Sequence, residues 1–238
     1  MTQHDVRQAR LVDALAARSA QTRLRAALDA GTRPEESYVE ALLARCAVEP
    51  DFFVRDMLTW ALTRHPVART VPRLVAELGS ARAQARSQAL HTLSKLRSGS
   101  AWPAISSDML HDSDDEVARA AWRAAVVLAP AEARSGLAAE LVGELGRGDQ
   151  EVQLSLSRAL VALSSPAGAS RGEPLGAGEA PGGTVSAMLC EARAHPEVRV
   201  RAHAIATERL LADPDAEFGA ALDEATRVAI ARVAPAVD

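Results

Sequence analysis

The chain has 238 residues, of which 48% are hydrophobic and 3% aromatic, with a formal net charge of −4 and a pI near 5.9. This composition predicts an ordered, soluble protein and argues against a strongly cationic nucleic-acid-binding protein. No uncharged run approaches the roughly 18 residues that span a bilayer, so we expect no membrane segment. The charge is uneven, because residues 51–100 carry eight basic and three acidic side chains whereas residues 101–150 carry four and nine. An anionic partner would therefore be attracted to the amino-terminal half.

The first 35 residues predict a helical cap. Leucines at positions 11, 15, 24 and 28 recur at helical spacing, and Gly31 follows as a stop signal. This pattern predicts one long or two short helices over residues 4–30. Acidic residues at positions 5 and 13 and the lack of an apolar stretch distinguish the start from a secretory signal, so we expect a cytoplasmic protein.

From residue 36 onward the sequence repeats a pair of amphipathic segments. The second segment of each pair carries a small apolar anchor with further Ala or Leu residues at helical spacing behind it. The five anchors are Val54, Ala85, Val117, Val152 and Val198. Successive anchors are 31, 32, 35 and 46 residues apart, a period that indicates stacked helical hairpins. The first segments, which predict outer helices with Pro72 and Pro103 in the first turn of two of them, lie at 36–46, 70–78, 101–110, 131–145 and 184–194.

The repeated segments resemble HEAT repeats, including those of the PBS-lyase type. In that family a Pro-containing outer helix precedes an inner helix that begins D-x-x-V-R, and Asp51–Arg55 and His195–Arg199 match this pattern best. The resemblance covers about residues 36–212. It implies an all-α fold, an armadillo-like right-handed α-solenoid of about five hairpins, closed by capping helices at both ends.

We expect one repeat domain over residues 1–238. Its parts are an amino-terminal cap (1–35), repeats one to four (36–163), a flexible insert rich in Gly and Pro (164–183), repeat five (184–212) and a carboxy-terminal cap helix (213–238).

Candidate binding residues lie on the predicted inner helices, which line the concave face of a HEAT-like stack. Basic or aromatic side chains recur one, six and ten residues after the anchors. The candidates are Arg55, Trp60, Arg64, Arg86, His91, Lys95, Arg123 and Arg158. Such a row fits an acidic segment of a partner protein, because guanidinium and ammonium groups bind carboxylates. The predicted function is a non-catalytic protein-binding scaffold, monomeric, with nucleic acid a less favoured partner. The same side chains could instead pair with neighbouring carboxylates, and the row would then be structural.

Two other functions stay open through the resemblance. Similar DNA-base glycosylases combine an aromatic ring with a carboxylate four residues later, and Asp56 and Trp60 have this spacing in the reverse order. Other similar proteins are lyase-type chaperones for pigments or small ligands.

The sequence predicts no catalytic residue, no metal site and no cofactor. Its six histidines show no H-x-x-x-H pair, and Cys46 and Cys190 are not spaced as zinc ligands. Ser155 and Ser157 lie mid-helix without a G-x-S-x-G elbow. The acidic run 112–116 lacks the Gly and the terminal Glu of a calcium loop, so we interpret it as a helix cap.

Overall fold

The computed structural model of the chain describes residues 3–165 and 181–231, and within these ranges all regular structure is helical. The α-helices are α1 (Gln3–Leu15), α2 (Ala20–Thr32), α3 (Tyr38–Cys46), α4 (Phe52–Thr63), α5 (Val67–Glu77), α6 (Ala83–Leu96), α7 (Ser107–Leu110), α8 (Asp115–Leu128), α9 (Arg134–Val142), α10 (Gln150–Ser164), α11 (Pro181–Ala192), α12 (Val198–Ala212) and α13 (Phe218–Ala231). Two 3₁₀ segments, Gly99–Ala104 and Ala131–Ala133, precede α7 and α9. The predicted all-α class is confirmed. No described helix combines the length and the apolar run that crossing a bilayer requires.

Helices that are adjacent in the sequence pack against each other as pairs. The chain divides into two compact units, Met1–Leu128 and Ala129–Asp238. In the first unit α2 packs closely on α4, and α6 packs closely on α8. In the second unit α9 and α10 both contact α11, and α13 packs on α12. The boundary between the units lies inside the range predicted as repeats one to four.

The inner helices begin in the same way. Each has a capping residue, and the capping residues are Ser19, Asp51, Arg82, Asp114, Asp149 and Glu197. The serine and the three aspartates among them accept hydrogen bonds from helix amides, which satisfies donors that the first turn leaves unpaired. Four residues after the caps stand Arg23, Arg55, Arg86, Ala118, Gln153 and Arg201.

The arginine of this repeated position holds the turn that precedes its own helix. Nη1 of Arg55 donates to the carbonyl oxygens of Glu49 and Pro50 at 2.9 and 2.8 Å. Equivalent bonds, to carbonyls five or six residues earlier, are made by Arg23, Arg86 and Arg201. Because Arg23 of α2 makes these bonds, the repeated pattern extends to the hairpin formed by α1 and α2.

Two of these arginines also join neighbouring hairpins. Glu49 and Asp112 each lie two residues before a capping aspartate and accept a hydrogen bond from its backbone amide at 2.9 Å. Each carboxylate also receives a guanidinium group from 26 residues earlier, from Arg23 and Arg86 respectively. We call this arrangement the arginine clip.

Glu49 is the most deeply buried carboxylate of the two clips, with 0% exposure. Arg23 binds both of its oxygens at 2.7 Å, and Nε of Arg45 donates to Oε2 at 2.7 Å. Burial alone would raise the pKa of Glu49, but the hydrogen bonds from Arg23 and Arg45 outweigh burial and lower the pKa to about 2. The carboxylate therefore stays ionised inside the stack.

Gly31 does not end α2, contrary to the prediction. The helix continues to Thr32, and the indole of Trp60 on α4 lies against Gly31. A Cβ atom at position 31 would collide with that ring and would come within 2.8 Å of the Cα of Ala61. The glycine therefore permits close approach of two inner helices.

The predicted outer helix at 101–110 is interrupted, because Ile105 is extended between the 3₁₀ segment and the single turn of α7. Pro103 has no amide donor and disfavours the α conformation at Trp102. The prediction for Pro72 is also wrong, since α5 begins at Val67 and the proline lies beyond the first turn.

The last repeat starts two residues later than its sequence match indicates. Helix α12 begins after Glu197, so Val200 and Arg201 take the places of the anchor and its arginine. Arg199, in the predicted position, is exposed and donates to the carbonyl of Gly148 at 2.6 Å. His195 contributes to the shift, because its Nδ1 accepts the amide of Glu197 at 3.2 Å and keeps these residues in the turn.

Most of the predicted insert, 164–183, lies outside the described residues. Ser164 ends α10, and residues 181–183 begin α11. Helix α13 falls within the range 213–238 predicted for the cap, and residues 232–238 lie outside the described part of the chain.

Candidate functional site

The predicted binding residues fall into groups with different surroundings. Arg158 is exposed on α10 in the second unit, and the other seven lie in the first. Arg55 and Arg86 sit in the first turns of their helices, where they bind backbone carbonyls. Arg86 also pairs with Asp112 at 2.8 Å. These two guanidinium groups hold the stack together, so the structure offers them little freedom to bind a partner.

A second group lies across the faces of α4, α6 and α8. Burial lowers the pKa of His91, the positive charges of Arg123 and Lys95 lower it further, and the carboxylate of Asp56 raises it. The three charge effects indicate that Arg123, Lys95 and Asp56 lie near His91. His91 and Lys95 are also four residues apart on α6, so they share one helix face. Three inner helices therefore bring these four side chains together.

Trp60 and Arg64 extend this group along α4. The guanidinium carbon of Arg64 lies 6.0 Å from the centroid of the indole ring, which is a cation–π distance. Trp60 is 37% exposed, because part of its ring covers Gly31 on α2. Asp56 lies four residues before Trp60 and so occupies the same stripe of α4. We call the surface formed by Trp60, Arg64, His91, Lys95 and Arg123 the basic face.

The cations of the basic face are not neutralised by ion pairs. Within the described residues, Arg64, Lys95 and Arg123 form no ion pair with a carboxylate. Nε of Arg123 donates to the carbonyl of Arg119 at 3.2 Å, and this bond fixes its orientation without cancelling its charge. On the opposite side of the hairpins, two arginines of α5 pair with glutamates near α3 at 3.2 and 3.0 Å. The cations of the basic face therefore differ from these outer arginines in having no carboxylate partner.

Phe53 adds an aromatic ring that the sequence analysis did not select. It is 71% exposed and lies seven residues before Trp60, which places both rings on one stripe of α4, about 10 Å apart along the helix axis. The i,i+7 spacing of the two rings was visible in the sequence. Trp122, by contrast, is fully buried, and its Nε1 donates to the carbonyl of Leu110 at 2.9 Å, so it belongs to the core.

The second unit contains a buried Ser–His pair that the sequence did not indicate. Oγ of Ser157 lies 3.0 Å from Nε2 of His203, and both side chains are fully buried. Nδ1 of His203 accepts the amide of Gly146 at 3.0 Å, so the proton of the neutral ring resides on Nε2, which also lies 3.0 Å from the carbonyl oxygen of Gln153. A nitrogen that carries the proton cannot take one from the serine, so the pair lacks the tautomer that general-base catalysis needs.

The buried position of His203 also affects its charge. Burial lowers its pKa to about 4, and the positive charge of Arg199 contributes to the lowering. The ring is therefore neutral near pH 7. Its hydrogen bonds connect α10 and α12. The two residues of the Ser157–His203 contact are 46 positions apart in the sequence.

Other reactive groups in the described residues are isolated. No cluster of three His, Cys, Asp or Glu side chains there could hold a metal ion. Cys46 is buried, and its pKa is raised to about 12, first by burial and then by the negative charges of Glu49 and Glu77. A thiol with so high a pKa is a poor nucleophile at neutral pH.

Comparison with known proteins gives a limited result. No family model and no curated protein matches the sequence. Among solved structures the chain is similar to the crystal structure of an engineered protein, with 18% sequence identity and a TM-score of 0.46, over 90% of this chain and 99% of that chain. At this score the likeness carries no argument about function.

Proposed function

We propose that this chain is a non-catalytic protein-binding scaffold of HEAT-type hairpins, and that its basic face binds an acidic segment of a partner protein. The observation that supports the proposal is the grouping of Arg64, Lys95 and Arg123 on three inner helices without ion pairs among the described residues. Cations left unpaired on one face are available to carboxylates of another chain.

Trp60 adds an apolar contact to the positive charges of the basic face. An exposed ion pair contributes at most about 1 kcal/mol, so three such pairs alone give weak and salt-sensitive binding. Trp60 packs against Gly31 of α2 and is still 37% exposed, so it presents part of an aromatic ring at the surface, and tryptophan is common among interface anchors. The proposed partner segment therefore combines carboxylates for the cations with an apolar side chain for Trp60.

A protein partner fits this face better than nucleic acid does. Nucleic-acid affinity depends on many phosphate contacts, whereas the basic face has only two arginines and one lysine, and Asp56 lies beside its His91. The proposed scaffold acts in the cytoplasm of a bacterial cell, where the free thiols of Cys46 and Cys190 would remain reduced.

The test is affinity capture from a native lysate, read by quantitative mass spectrometry, with three baits. The first is the wild-type chain, and the second carries Lys95→Glu and Arg123→Glu on the basic face. The third carries Arg18→Glu and Arg82→Glu, two exposed arginines outside it, and has the same change in net charge. All three baits must first show the same far-ultraviolet circular dichroism.

We expect at least one protein to bind the wild type and the control and to be lost from the basic-face variant. A synthetic peptide that covers the most acidic segment of that protein should bind the wild type, and its affinity should fall as ionic strength rises. Equal capture by all three baits, or a captured protein without an acidic binding segment, would contradict the proposal.

A further inference from the structure

A cavity of about 560 Å³ lies between α1, α2 and the start of α3, away from the residues of the basic face. Its inner wall is apolar and well packed, because Leu11, Ala26, Ala30 and Tyr38 are all buried. Small alanines at this wall leave the space that larger side chains would fill. The volume is in the range of pockets that bind small molecules, about 300–1,000 Å³.

The polar side of the cavity is organised around one carboxylate. Nη1 of Arg7 donates to Glu35 at 3.0 Å. The hydroxyl of Tyr38 also interacts with Glu35, and burial first, then this negative charge, raises the pKa of Tyr38. Glu35 is therefore engaged by a cation and a hydroxyl group, which leaves it little capacity to attract a positively charged ligand.

The remaining charge at the cavity is positive. Arg33 lies 3.9 Å from Asp29, but both side chains are mostly exposed, so this pair is weak. Arg10 lines the cavity and has no carboxylate partner among the described residues. Three arginines thus face two carboxylates, and the surplus charge sits beside an apolar wall.

We infer that this cavity binds a small amphipathic anion, with its acidic head group on Arg10 and Arg33 and its apolar part against Leu11 and Ala30. The head group is a carboxylate or a phosphate, since a guanidinium group donates paired hydrogen bonds to either. A positively charged ligand of the same size is disfavoured, because the three arginines that line the cavity outnumber its two carboxylates. The site is independent of the proposed scaffold function.

The experiment uses three probes with the same eight-carbon chain: octanoate, octyl phosphate and octylammonium. Tyr38 is the only tyrosine of the chain, so the ring signals of a tyrosine-labelled sample report the cavity wall without ambiguity. We expect saturable shifts for at least one of the two anions with a dissociation constant of about 1 mM or tighter, and no saturation with octylammonium. The anion that binds more tightly identifies the head group.

Two variants separate charge from shape. Arg10→Gln should weaken anion binding at least about tenfold, whereas Arg25→Gln, at an exposed arginine that does not line the cavity, should leave it unchanged. Ala14→Leu, which fills the cavity from α1, should abolish binding of the anions. Equal binding of all three probes, no saturation with either anion up to about 10 mM, or unchanged binding by Arg10→Gln would each overturn the inference.

Discussion

Replacing Glu49 with Gln tests whether the arginine clip stabilises the first unit. The substitution keeps the shape of the side chain but removes its charge, and it leaves the guanidinium group of Arg23, only 6% exposed, without a counter-ion. Removing one partner of a buried ion pair destabilises proteins by about 3–5 kcal/mol. Because Arg45 can turn toward solvent, we expect the lower end, about 3 kcal/mol.

Glu40→Gln is the matched control. Glu40 pairs with Arg73 at 3.0 Å, but both side chains are more than 60% exposed, so the loss should stay below about 1 kcal/mol. The assay is urea unfolding at pH 7 followed by tryptophan fluorescence, because all three tryptophans lie in the first unit. Equal losses for the two variants would refute the assignment of stability to burial of the pair.

The pH dependence of the Glu49→Gln effect gives a second check. The pKa of this carboxyl is about 2 in the folded protein against 4.5 as its ordinary value. Its contribution is therefore fully present above about pH 5 and is lost as the pH falls through 4.5 toward 2. The difference in unfolding free energy between wild type and variant should shrink over that same window.

Three further results are expected. The second unit should lose about 3 kcal/mol of stability as the pH falls from 6.5 to 4, because the pKa of His203 is about 4 in the folded protein and 6.5 ordinarily. Circular dichroism should show this loss, whereas tryptophan fluorescence should not. His203→Gln should remove the pH dependence. Gly31→Ala should destabilise by about 1–3 kcal/mol through collision with Trp60, whereas Gly136→Ala, with open space around it, should stabilise α9 or leave it unchanged on thermal melting. Ala121→Leu, at a position with 0% exposure, should cost about 1–3 kcal/mol in urea unfolding, and an unchanged midpoint would contradict close packing of α8.

The fold class could be predicted because the period and the small anchors repeat. Val54, Leu58, Ala61 and Leu62, chosen from helical spacing alone, are all fully buried. His91 and Arg123 each lie six residues after their anchors, and the structure brings the two side chains together. Such regularities are local to a helix or recur with the period, so a single sequence reveals them.

The sequence could not distinguish arginines that bind the backbone from arginines that face solvent. Arg55 binds a turn and Arg123 faces outward, yet both follow an anchor in an inner helix. The clips had a detectable signal, an acidic residue two positions before a capping aspartate at both Glu49 and Asp112. The contact of Ser157 with His203 had none, because it depends on how α10 and α12 pack.

The register of the last repeat shows how a local match can mislead. His195–Arg199 resembles the inner-helix pattern more than its neighbours do, but Pro196 and the ring of His195 belong to the turn. The helix begins only after Glu197, which makes no side-chain capping bond. Without a capping Ser, Thr, Asp or Asn at this position, the sequence gives no local signal for the correct start.

The two clips also divide the first unit into pairs of hairpins. Arg23–Glu49 ties the hairpins that contain α2 and α4, and Arg86–Asp112 ties α6 to the turn before α8. Between α4 and α6 the corresponding bond is neutral, from the amide of Gln84 to the carbonyls of Cys46 and Glu49 at 2.8 Å, and these two helices pack less closely than the clipped pairs do. Local opening should therefore begin at this junction. In native-state hydrogen exchange, the amides of α4 and α6 should show a lower free energy of opening than those of α2 or α8. The basic face crosses the junction between α4 and α6, so a partner bound to this face would stabilise the junction at which the unit opens most easily.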